Sequence, residues 1–380
     1  MKMNKNSQRA RAPISLWGVG DWGVRTLERA PAAFNGLIEK VALNSDLQSL
    51  ILSSSPVKIP IGKKSLFGLG SGGCREAGEK AFRENKTAVR ERLNRSGLLI
   101  AVAGLGGGVG SGAAPALCRL ALEAGVPVLA ILTRPFEFEG KKRVANCRRA
   151  LDDLASASVP YLCFSLDRML VKIDDSAPCD QAFKSCDGLL DAALAAVVSC
   201  LAADSPLGGD LACLRNVFSL GEEAVVVTAG CDHPDKILAT VKSAVSRLGL
   251  SPAELKAARG GLLCVRSSEP PPMGRVKPAM VTLSRILGEK SEIIFTLGKP
   301  TGTDGLLEII LLVGGVGNGA KKTADRPALI YNTGNLPARQ GELPLGSDLL
   351  RGVFAEMEPI LVNGEDLDIP TFIREGMLLG

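Results

Sequence analysis

Several residue types are scarce in this chain of 380 residues, and each scarcity excludes a class of function. Aromatic residues make up 4% of the sequence, too few for a surface on which bases of single-stranded nucleic acid stack, so we expect no nucleic acid partner. The single histidine, His233, excludes metal sites that need two histidines, such as the HExxH zinc site. The ten cysteines form no CxxC pair and lie mostly in apolar stretches, which predicts reduced, buried thiols.

Long apolar runs and a secretory signal are missing as well. No run approaches the roughly 20 residues that a membrane-spanning helix needs, and the first residues contain no apolar segment of the secretory kind. We therefore expect a cytoplasmic protein. The net charge is +5, and residues 1–13 contain four basic residues and no acid. These residues are predicted to form a disordered basic tail, with weak attraction to an anionic membrane surface as the alternative.

From Ile14 onward, short apolar runs alternate with amphipathic segments, which is typical of a parallel sheet with helices on both faces. A stripe of apolar residues at three- and four-residue steps predicts a long helix over about Ala182–Ala203, wedged between two domains. Beyond residues 204–209, four apolar runs and two helical segments predict a smaller mixed sheet. We expect its last two strands, Glu292–Leu297 and Leu307–Val313, to form an antiparallel hairpin, because no helix separates them.

Three glycine-rich segments carry the clearest chemical signal. Gly18-Val-Gly20-Asp-Trp-Gly23 matches the GxGxxG motif of dinucleotide sites, with Asp46 or Glu39 as the acidic partner. Gly104-Leu-Gly-Gly-Gly-Val-Gly-Ser-Gly112 lies between a predicted strand and the predicted helix Ala113–Glu123, and Gly68-Leu-Gly-Ser-Gly-Gly73 precedes another helix. Several clusters of backbone N–H groups suit a polyphosphate better than a single pyrophosphate. No GxxxxGK[ST] occurs, so the site is not a Walker P-loop.

Five segments of the chain resemble the motifs of the tubulin/FtsZ family and occur in the family's order. They are Leu43-Asn-Ser-Asp-Leu-Gln48 (VNTDAQ in the family), Gly106-Gly-Gly-Val-Gly-Ser-Gly112 (GGGTGSG), Pro135-Phe-Glu-Phe-Glu-Gly-Lys-Lys-Arg143 (PFxFEGKRR), Leu166-Asp-Arg168 (the NDR loop) and Asp366-Leu-Asp-Ile-Pro-Thr-Phe-Ile-Arg374 (the C-terminal partner-binding peptide). The resemblance runs from about Ile14 to Gly315 and resumes at the C-terminus.

The resemblance implies an α/β fold of the tubulin/FtsZ kind. Such a fold has a Rossmann-like, parallel-sheet GTP-binding domain, a long central helix and a smaller mixed-sheet α/β domain. We accordingly divide the chain into a basic tail (1–13), a GTP-binding domain (14–178), the central helix (179–204), an activation domain (205–316), a linker (317–357) and a partner-binding peptide (358–380).

The resemblance also implies the residues of a GTP/GDP site, in which Mg²⁺ is held by phosphate oxygens and water and not by protein ligands alone. The residues implied at the phosphates are Gly20, Asp21, Gly70, Ser71, Gly72, Gly73, Gly106, Gly107, Gly108, Val109, Gly110, Ser111 and Gly112, with Asn44 and Asp46 on the cation side. Glu139 and Arg143 are implied at the ribose, while Phe183 stacks on the guanine and Asp187 accepts hydrogen bonds from it.

Departures from the family motifs predict weakened chemistry. The family loop NxDFADVR, which completes hydrolysis in the next subunit's site, corresponds here to Gly208-Gly-Asp210-Leu-Ala-Cys213-Leu-Arg215. Asp210 keeps one catalytic position, whereas Cys213 replaces the second aspartate and Gly208 replaces the asparagine. Losing one positioned polar group in such a site costs about 10²–10³ in rate, so we predict slow hydrolysis.

The first glycine segment departs from the family too. Asp21 stands where the family has glycine, and we expect a cation or Arg25 to compensate its charge. The Trp22 side chain either covers the base or simply packs within the protein.

Two functions remain open. One is a GTP-binding, filament-forming cytoskeletal GTPase acting at the division site or the inner membrane face, with its active site shared between adjacent subunits. The other is a non-hydrolysing scaffold or regulator that co-assembles with a conventional FtsZ or remodels membranes. The expected partners are further copies of the chain, a conventional FtsZ, and a membrane anchor that binds Asp366, Leu367, Ile369, Pro370, Phe372, Ile373 and Arg374, unless this segment is only a fraying tail. A third hypothesis, a nicotinamide-dependent oxidoreductase, is supported by the GxGxxG motif alone.

Overall fold

A computed structural model describes residues 14–30, 38–170, 177–201, 212–214, 223–288, 291–298, 307–316, 361–362 and 365–366. The chain divides into two units, Met1–Asp325 and Arg326–Gly380. In the second unit the structure describes one antiparallel pair of short strands, β11 (Leu361–Val362) and β12 (Glu365–Asp366). All other described helices and strands belong to the first unit.

The first half of the first unit alternates strands with helices, as the sequence predicts. Its strands are β1 (Ile14–Val19), β2 (Ile38–Asn44), β3 (Val57–Pro60), β4 (Leu98–Gly104), β5 (Val128–Arg134) and β6 (Tyr161–Ser165). Its helices are α1 (Gly20–Arg29), α2 (Leu47–Leu52), α3 (Arg75–Glu84), α4 (Lys86–Leu93), α5 (Gly108–Glu123), α6 (Lys141–Ser156) and α7 (Leu166–Leu170), with a 3₁₀ turn at Glu137–Glu139.

The long helix α8 (Cys179–Leu201) follows, close to its predicted position. The second half then contains β7 (Glu223–Cys231), a 3₁₀ turn at Pro234–Lys236, α9 (Ile237–Ser246), α10 (Pro252–Ala257), β8 (Gly260–Arg266), α11 (Met273–Leu287), β9 (Glu292–Gly298) and β10 (Leu307–Val316).

One sheet of ten strands, in the order β3-β2-β1-β4-β5-β6-β7-β10-β8-β9, passes through both halves. Neighbouring strands from β3 to β7 are parallel, and so are β8 and β9, whereas β10 is antiparallel to both of its neighbours. The predicted mixed α/β architecture is confirmed: a parallel sheet in the first half, a long helix, and a mixed sheet in the second half. The division into domains stays a prediction.

The predicted hairpin between the last two strands is wrong. β10 lies between β7 and β8, and β9 pairs with the far side of β8. Helix α11 connects β8 to β9, which allows these two strands to run parallel. β10 is buried along nearly its whole length, and a strand with that pattern belongs in the interior of a sheet with a neighbour on each edge.

Alternate residues of each strand enter the cores on opposite faces of the sheet, because strand side chains have a period of two. On one face, α1 and α8 pack in a continuous apolar cluster that includes residues of β1 and of every strand from β4 to β10. The other face is covered by α3 to α6 in the first half and by α9 to α11 in the second. None of the described helices combines the length and hydrophobicity that crossing a membrane requires.

Seven of the ten cysteines are buried, in line with the sequence prediction. Burial raises the pKa of the Cys163 thiol and of the Cys118 thiol to about 12. These thiols are therefore protonated at neutral pH and serve as small apolar core residues.

Candidate functional site

The three glycine segments meet at one edge of the sheet. The first, second and third segments follow β1, β4 and β3, respectively. These strands and β2 run parallel in one sheet, so the segments leave it on the same side. This edge, beyond the carboxyl ends of adjacent parallel strands, is where ligands bind in open α/β sheets. The helices α1 and α5 begin there, at Gly20 and Gly108, and α5 thus begins earlier than the predicted Ala113.

The first and second segments are in contact. Gly20 has a φ of +73°, which a residue with a side chain rarely adopts, and a Cβ placed on it would lie 3.2 Å from the Gly110 nitrogen. The second segment is fixed internally, because the buried Ser111 Oγ accepts a 2.7 Å hydrogen bond from the Gly106 N–H. Val109, which replaces a threonine of the family motif, is 7% exposed and packs in the apolar core.

The second and third segments pack too closely for a side chain between them. A Cβ on Gly108 would lie 2.2 Å from the Ser71 Oγ. In contrast, a Cβ on Gly72, Gly73 or Gly107 would meet no heavy atom within 4 Å. The backbone at these three glycines therefore borders open space, as a surface that receives a ligand must.

Asn146 joins the second and third segments, a role that was not predicted from the sequence. Its Nδ2 donates to the Gly73 carbonyl and to the Gly106 carbonyl, both at 3.0 Å. Asn146 is 7% exposed and lies on the buried face of α6 with Cys147 and Ala150. A polar amide on the apolar face of an amphipathic helix is the sequence signal that identifies it.

Asp21 has a hydrogen-bond partner in β2 that the sequence did not predict, and compensation of its charge by a cation or Arg25 stays a prediction. The Asn44 Nδ2 donates to the Asp21 Oδ1 at 2.7 Å, and the Asn44 Oδ1 accepts from the Ser45 N–H at 2.8 Å. Asn44 is 1% exposed, which fixes its orientation. The position of Asp21 in the first turn of α1 also favours its negative charge, through the positive end of the helix dipole.

Asp46 caps α2 and adjoins the third segment. Its Oδ1 accepts from the Gln48 N–H at 2.9 Å, and its backbone forms a bridge with Leu69. A Cβ on Gly70 would lie 3.9 Å from the Asp46 Cβ. Asn44, Asp46 and Gly70 are therefore brought to the same edge, as predicted from their motifs.

Glu139 and Arg143 form an ion pair beside the second segment. The Glu139 Oε1 accepts a 2.9 Å hydrogen bond from the Phe136 N–H, and a Cβ on Gly106 would lie 3.3 Å from the Arg143 Cβ. Both predicted ribose residues thus adjoin the glycine segments.

Phe183 and Asp187 lie one turn apart near the start of α8. The Phe183 ring is 46% exposed, and its centre lies 5.6 Å from that of Phe136. The Asp187 Oδ1 accepts a hydrogen bond from the Trp22 Nε1 at 3.2 Å, and its Oδ2 lies 3.2 Å from the Arg29 Nη1. Trp22 packs against the core and donates this hydrogen bond, while the alternative that it covers the base stays a prediction.

The predicted catalytic and partner-binding segments are described only in part. Gly208 and Asp210 lie outside the described residues, whereas Cys213 lies on a helical turn at 212–214, half-buried against the apolar cluster that contains α8. The backbone of Asp366 belongs to β12. The other partner-binding residues fall outside the described part of the chain: Leu367, Ile369, Pro370, Phe372, Ile373 and Arg374.

Within the described ranges, no group of three or more His, Cys, Asp or Glu side chains is arranged to hold a metal ion. Asp21, within the first glycine segment, and Asp46, beside the third, each have one oxygen engaged within the chain. Their remaining lone pairs leave room for water or a hydrated cation.

The chain is similar to proteins of one family over most of its length. The GTPase domain of the tubulin/FtsZ family matches residues 32–174. The cell division protein FtsZ of Methanothermobacter thermautotrophicus is 28% identical over 309 residues, which are 81% of this chain and 81% of that protein.

Solved structures show the same similarity. An FtsZ variant from M. jannaschii is 28% identical with a TM-score of 0.72, over 81% of this chain and 92% of its own. CetZ2 from Haloferax volcanii, solved as a GTPγS-bound protofilament, is 23% identical with a TM-score of 0.64, over 82% of this chain and 95% of its own. At that identity, the CetZ2 likeness concerns the fold alone.

Proposed function

We propose that this chain, which is similar to the tubulin/FtsZ family, is a member of it, binds GTP at the glycine-lined edge of its sheet and assembles head to tail into filaments. Each hydrolysis site is shared between adjacent subunits, and hydrolysis is slow. The filaments act in cell division or membrane constriction, in the cytoplasm at the division site or inner membrane face. The nicotinamide-dependent oxidoreductase has no support beyond the GxGxxG motif.

One observation carries this proposal: three glycine segments converge, Asn146 joins the second to the third, and open space remains at Gly72, Gly73 and Gly107. Backbone N–H groups at such positions can approach phosphate oxygens closely, and the N-terminus of α5 adds a partial positive charge. Three such segments suit a triphosphate, whose negative charge is spread over many oxygens.

The other end of the proposed site suits a guanosine. The exposed Phe183 ring offers a stacking surface, and the Asp187 carboxylate is an acceptor for the guanine N1–H and 2-amino group. The Arg143–Glu139 pair adjoins Gly106, between the phosphate and base ends, where a ribose would lie.

Mg²⁺ in this proposal is bound by phosphate oxygens and water, because the described acidic residues form no cage of their own. Asp21 and Asp46 would contact its water molecules with the oxygens that Asn44 and the Gln48 N–H leave open. When bound, the ion neutralises phosphate charge.

The weak step is hydrolysis in trans. A subunit contributes the segment around Asp210 to its neighbour's nucleotide, and Cys213 stands where a second carboxylate would position water. Cys213 packs against the apolar cluster of its own subunit, and a thiol is a weak hydrogen-bond partner for water. Asp210 is therefore the residual catalytic group.

A second function, a nucleotide-bound scaffold that does not hydrolyse GTP, is favoured by the same Cys213. Filaments that keep their nucleotide would persist, either alone or co-assembled with a conventional FtsZ. In both cases the segment 358–380 would tether the filament to a membrane anchor, because short mixed acidic and apolar segments commonly fold onto partners.

Sedimentation of the intact protein with GTP, GDP or no nucleotide, with phosphate release followed in the same tube, tests the proposal. GTP-dependent pelleting with slow, continuous phosphate release is the result we expect. Pelleting without release would favour the scaffold, and release only in mixtures with a conventional FtsZ would indicate co-assembly. A chain that neither binds GTP nor pellets would overturn the proposal.

A further inference from the structure

Helices α1 and α8 meet through two matching rows of polar side chains. Trp22, Thr26 and Arg29 are spaced three or four residues apart, so they share one face of α1. Asp187 and Asp191, spaced by four, face them from α8. Arg29 lies 3.2 Å from Asp187 and 2.8 Å from Asp191, and it also donates to the Thr26 Oγ1.

Trp22 is held in this row independently of any ligand. Its backbone carbonyl accepts from the Thr26 Oγ1 at 3.0 Å, and its side chain packs against the apolar cluster under α1 and α8. The end of β4 makes room for it, since a Cβ on Gly104 would lie 3.0 Å from the Trp22 Cβ. The indole N–H is therefore a fixed donor.

The two oxygens of Asp187 have different partners in α1. Oδ1 accepts from the Trp22 indole at 3.2 Å, and Oδ2 faces the Arg29 guanidinium. Each carboxylate oxygen can accept a second hydrogen bond, and the Asp187 side chain is 31% exposed. The carboxylate is thus fixed in orientation while lone pairs on both oxygens stay accessible.

We infer that Trp22 is a positioning residue that orients Asp187 and so sets the preference of the base pocket for guanine over purines without a 2-amino group. The inference rests on the proposed function, which assigns Asp187 to the base. A guanine edge presents two donors to the carboxylate, N1–H and the 2-amino group, whereas hypoxanthine presents only N1–H. Two simultaneous hydrogen bonds require a fixed carboxylate plane, but a single one does not.

Trp22→Phe tests this, because it removes the indole N–H and keeps an aromatic side chain. Titration calorimetry with GDP and with IDP avoids any effect of hydrolysis. We expect the variant to bind GDP about tenfold more weakly and IDP only about twofold more weakly, so the GDP/IDP preference falls about fivefold, in the range that a typical hydrogen bond contributes. Thermal melting without nucleotide verifies that the variant folds.

A double-mutant cycle separates positioning from a general effect on the pocket. In an Asp187→Ala background, Trp22→Phe should leave both affinities unchanged, because the group it positions is gone. An unchanged GDP/IDP preference in Trp22→Phe, or tighter GDP binding, would overturn the inference and leave the proposed function standing. A wild-type chain that binds neither nucleotide would overturn both.

Discussion

A single side-chain amide, that of Asn146, holds together two of the three segments that line the proposed phosphate site. Its two protons satisfy the carbonyls of Gly73 and Gly106, at a position where water has little access. A buried carbonyl left without a donor costs free energy comparable to a lost hydrogen bond. The spacing between the two segments therefore depends on one residue of α6.

We expect Asn146→Ala to lower the affinity for GTP about tenfold and to reduce the free energy of unfolding by about 1–3 kcal/mol, because the buried Gly106 carbonyl and the partly buried Gly73 carbonyl lose their donor. Titration calorimetry and thermal melting measure the two effects. Asn94→Ala, at an exposed position beyond α4, is the matched control and should change neither. Wild-type GTP affinity in Asn146→Ala would contradict the role given to this amide.

Side-chain partners were the hardest feature to predict at this scale. The motifs placed Asn44, Asp46 and Gly70 at one edge correctly, because each follows or adjoins a strand of the parallel sheet. They did not reveal that Asn44 donates a hydrogen bond to Asp21, because a contact between residues on different elements depends on the distance between β2 and α1. Asn146 was missed for the same reason.

At the scale of elements, α3 and α5 approach each other through glycines. A Cβ on Gly78 would lie 2.2 Å from the Gly108 carbonyl oxygen, and a Cβ on Gly112 would lie 2.2 Å from the Arg75 oxygen. Backbone atoms of one helix thus occupy the space that side chains of the other would need. This contact places the third glycine segment, which leads into α3, against the second, which leads into α5.

We expect Gly78→Ala to reduce the free energy of unfolding by about 1–3 kcal/mol, because the added methyl group forces the two helices apart. The control is Gly188→Ala in α8, where a Cβ meets nothing within 4 Å. That substitution should raise the stability by up to about 1 kcal/mol, since alanine is the better helix former. Thermal melting of both variants measures this, and equal stabilities would refute the close contact.

Elements were predicted well where one periodicity dominated the segment. Buried strands such as β4 and β5 have continuous apolar runs, and α8 has an unbroken apolar stripe. The order of β8, β9 and β10 was not predicted, because strand pairing depends on long-range contacts that a local pattern does not encode. The long apolar run of β10 fits the interior position that the structure shows, but it does not identify the strand's neighbours.

At the scale of the whole molecule, the ten-stranded sheet is continuous from β3 to β9. Where its two halves meet, Cys163 of β6 pairs with Glu223 of β7, and the Glu223 carboxylate lies 2.9 Å from the Arg168 Nε. Burial raises the pKa of Glu223, although the Arg168 charge opposes this shift. The proposed phosphate edge and residues 212–214, which pack against the cluster that contains α8, thus belong to one sheet-based body, as the proposed sharing of the site with a second copy requires.

The proposed effect of Cys213 belongs to this scale, because the proposal has Cys213 act on the nucleotide of the neighbouring subunit. We expect Cys213→Asp, combined with Gly208→Asn, to raise phosphate release several-fold in pelleting samples by restoring a carboxylate that positions water. Cys179→Asp, at an exposed cysteine at the start of α8, is the control and should not change the rate. An unchanged rate in a double variant that still pellets would contradict the role of Cys213 and would indicate that the segment with Asp21 and Trp22 slows hydrolysis.

The distribution of the thiols has a practical consequence for chemical labelling. Cys179 is exposed, Cys74 and Cys213 are partly covered, and the other seven cysteines are buried. Maleimides react with thiolates, and a thiol whose pKa is raised to about 12, such as Cys163 or Cys264, contains almost none at neutral pH. A fluorophore attached briefly at neutral pH therefore reacts first at Cys179, one helical turn before Phe183. The natural sequence thus provides an optical reporter next to the proposed base pocket without any engineered cysteine.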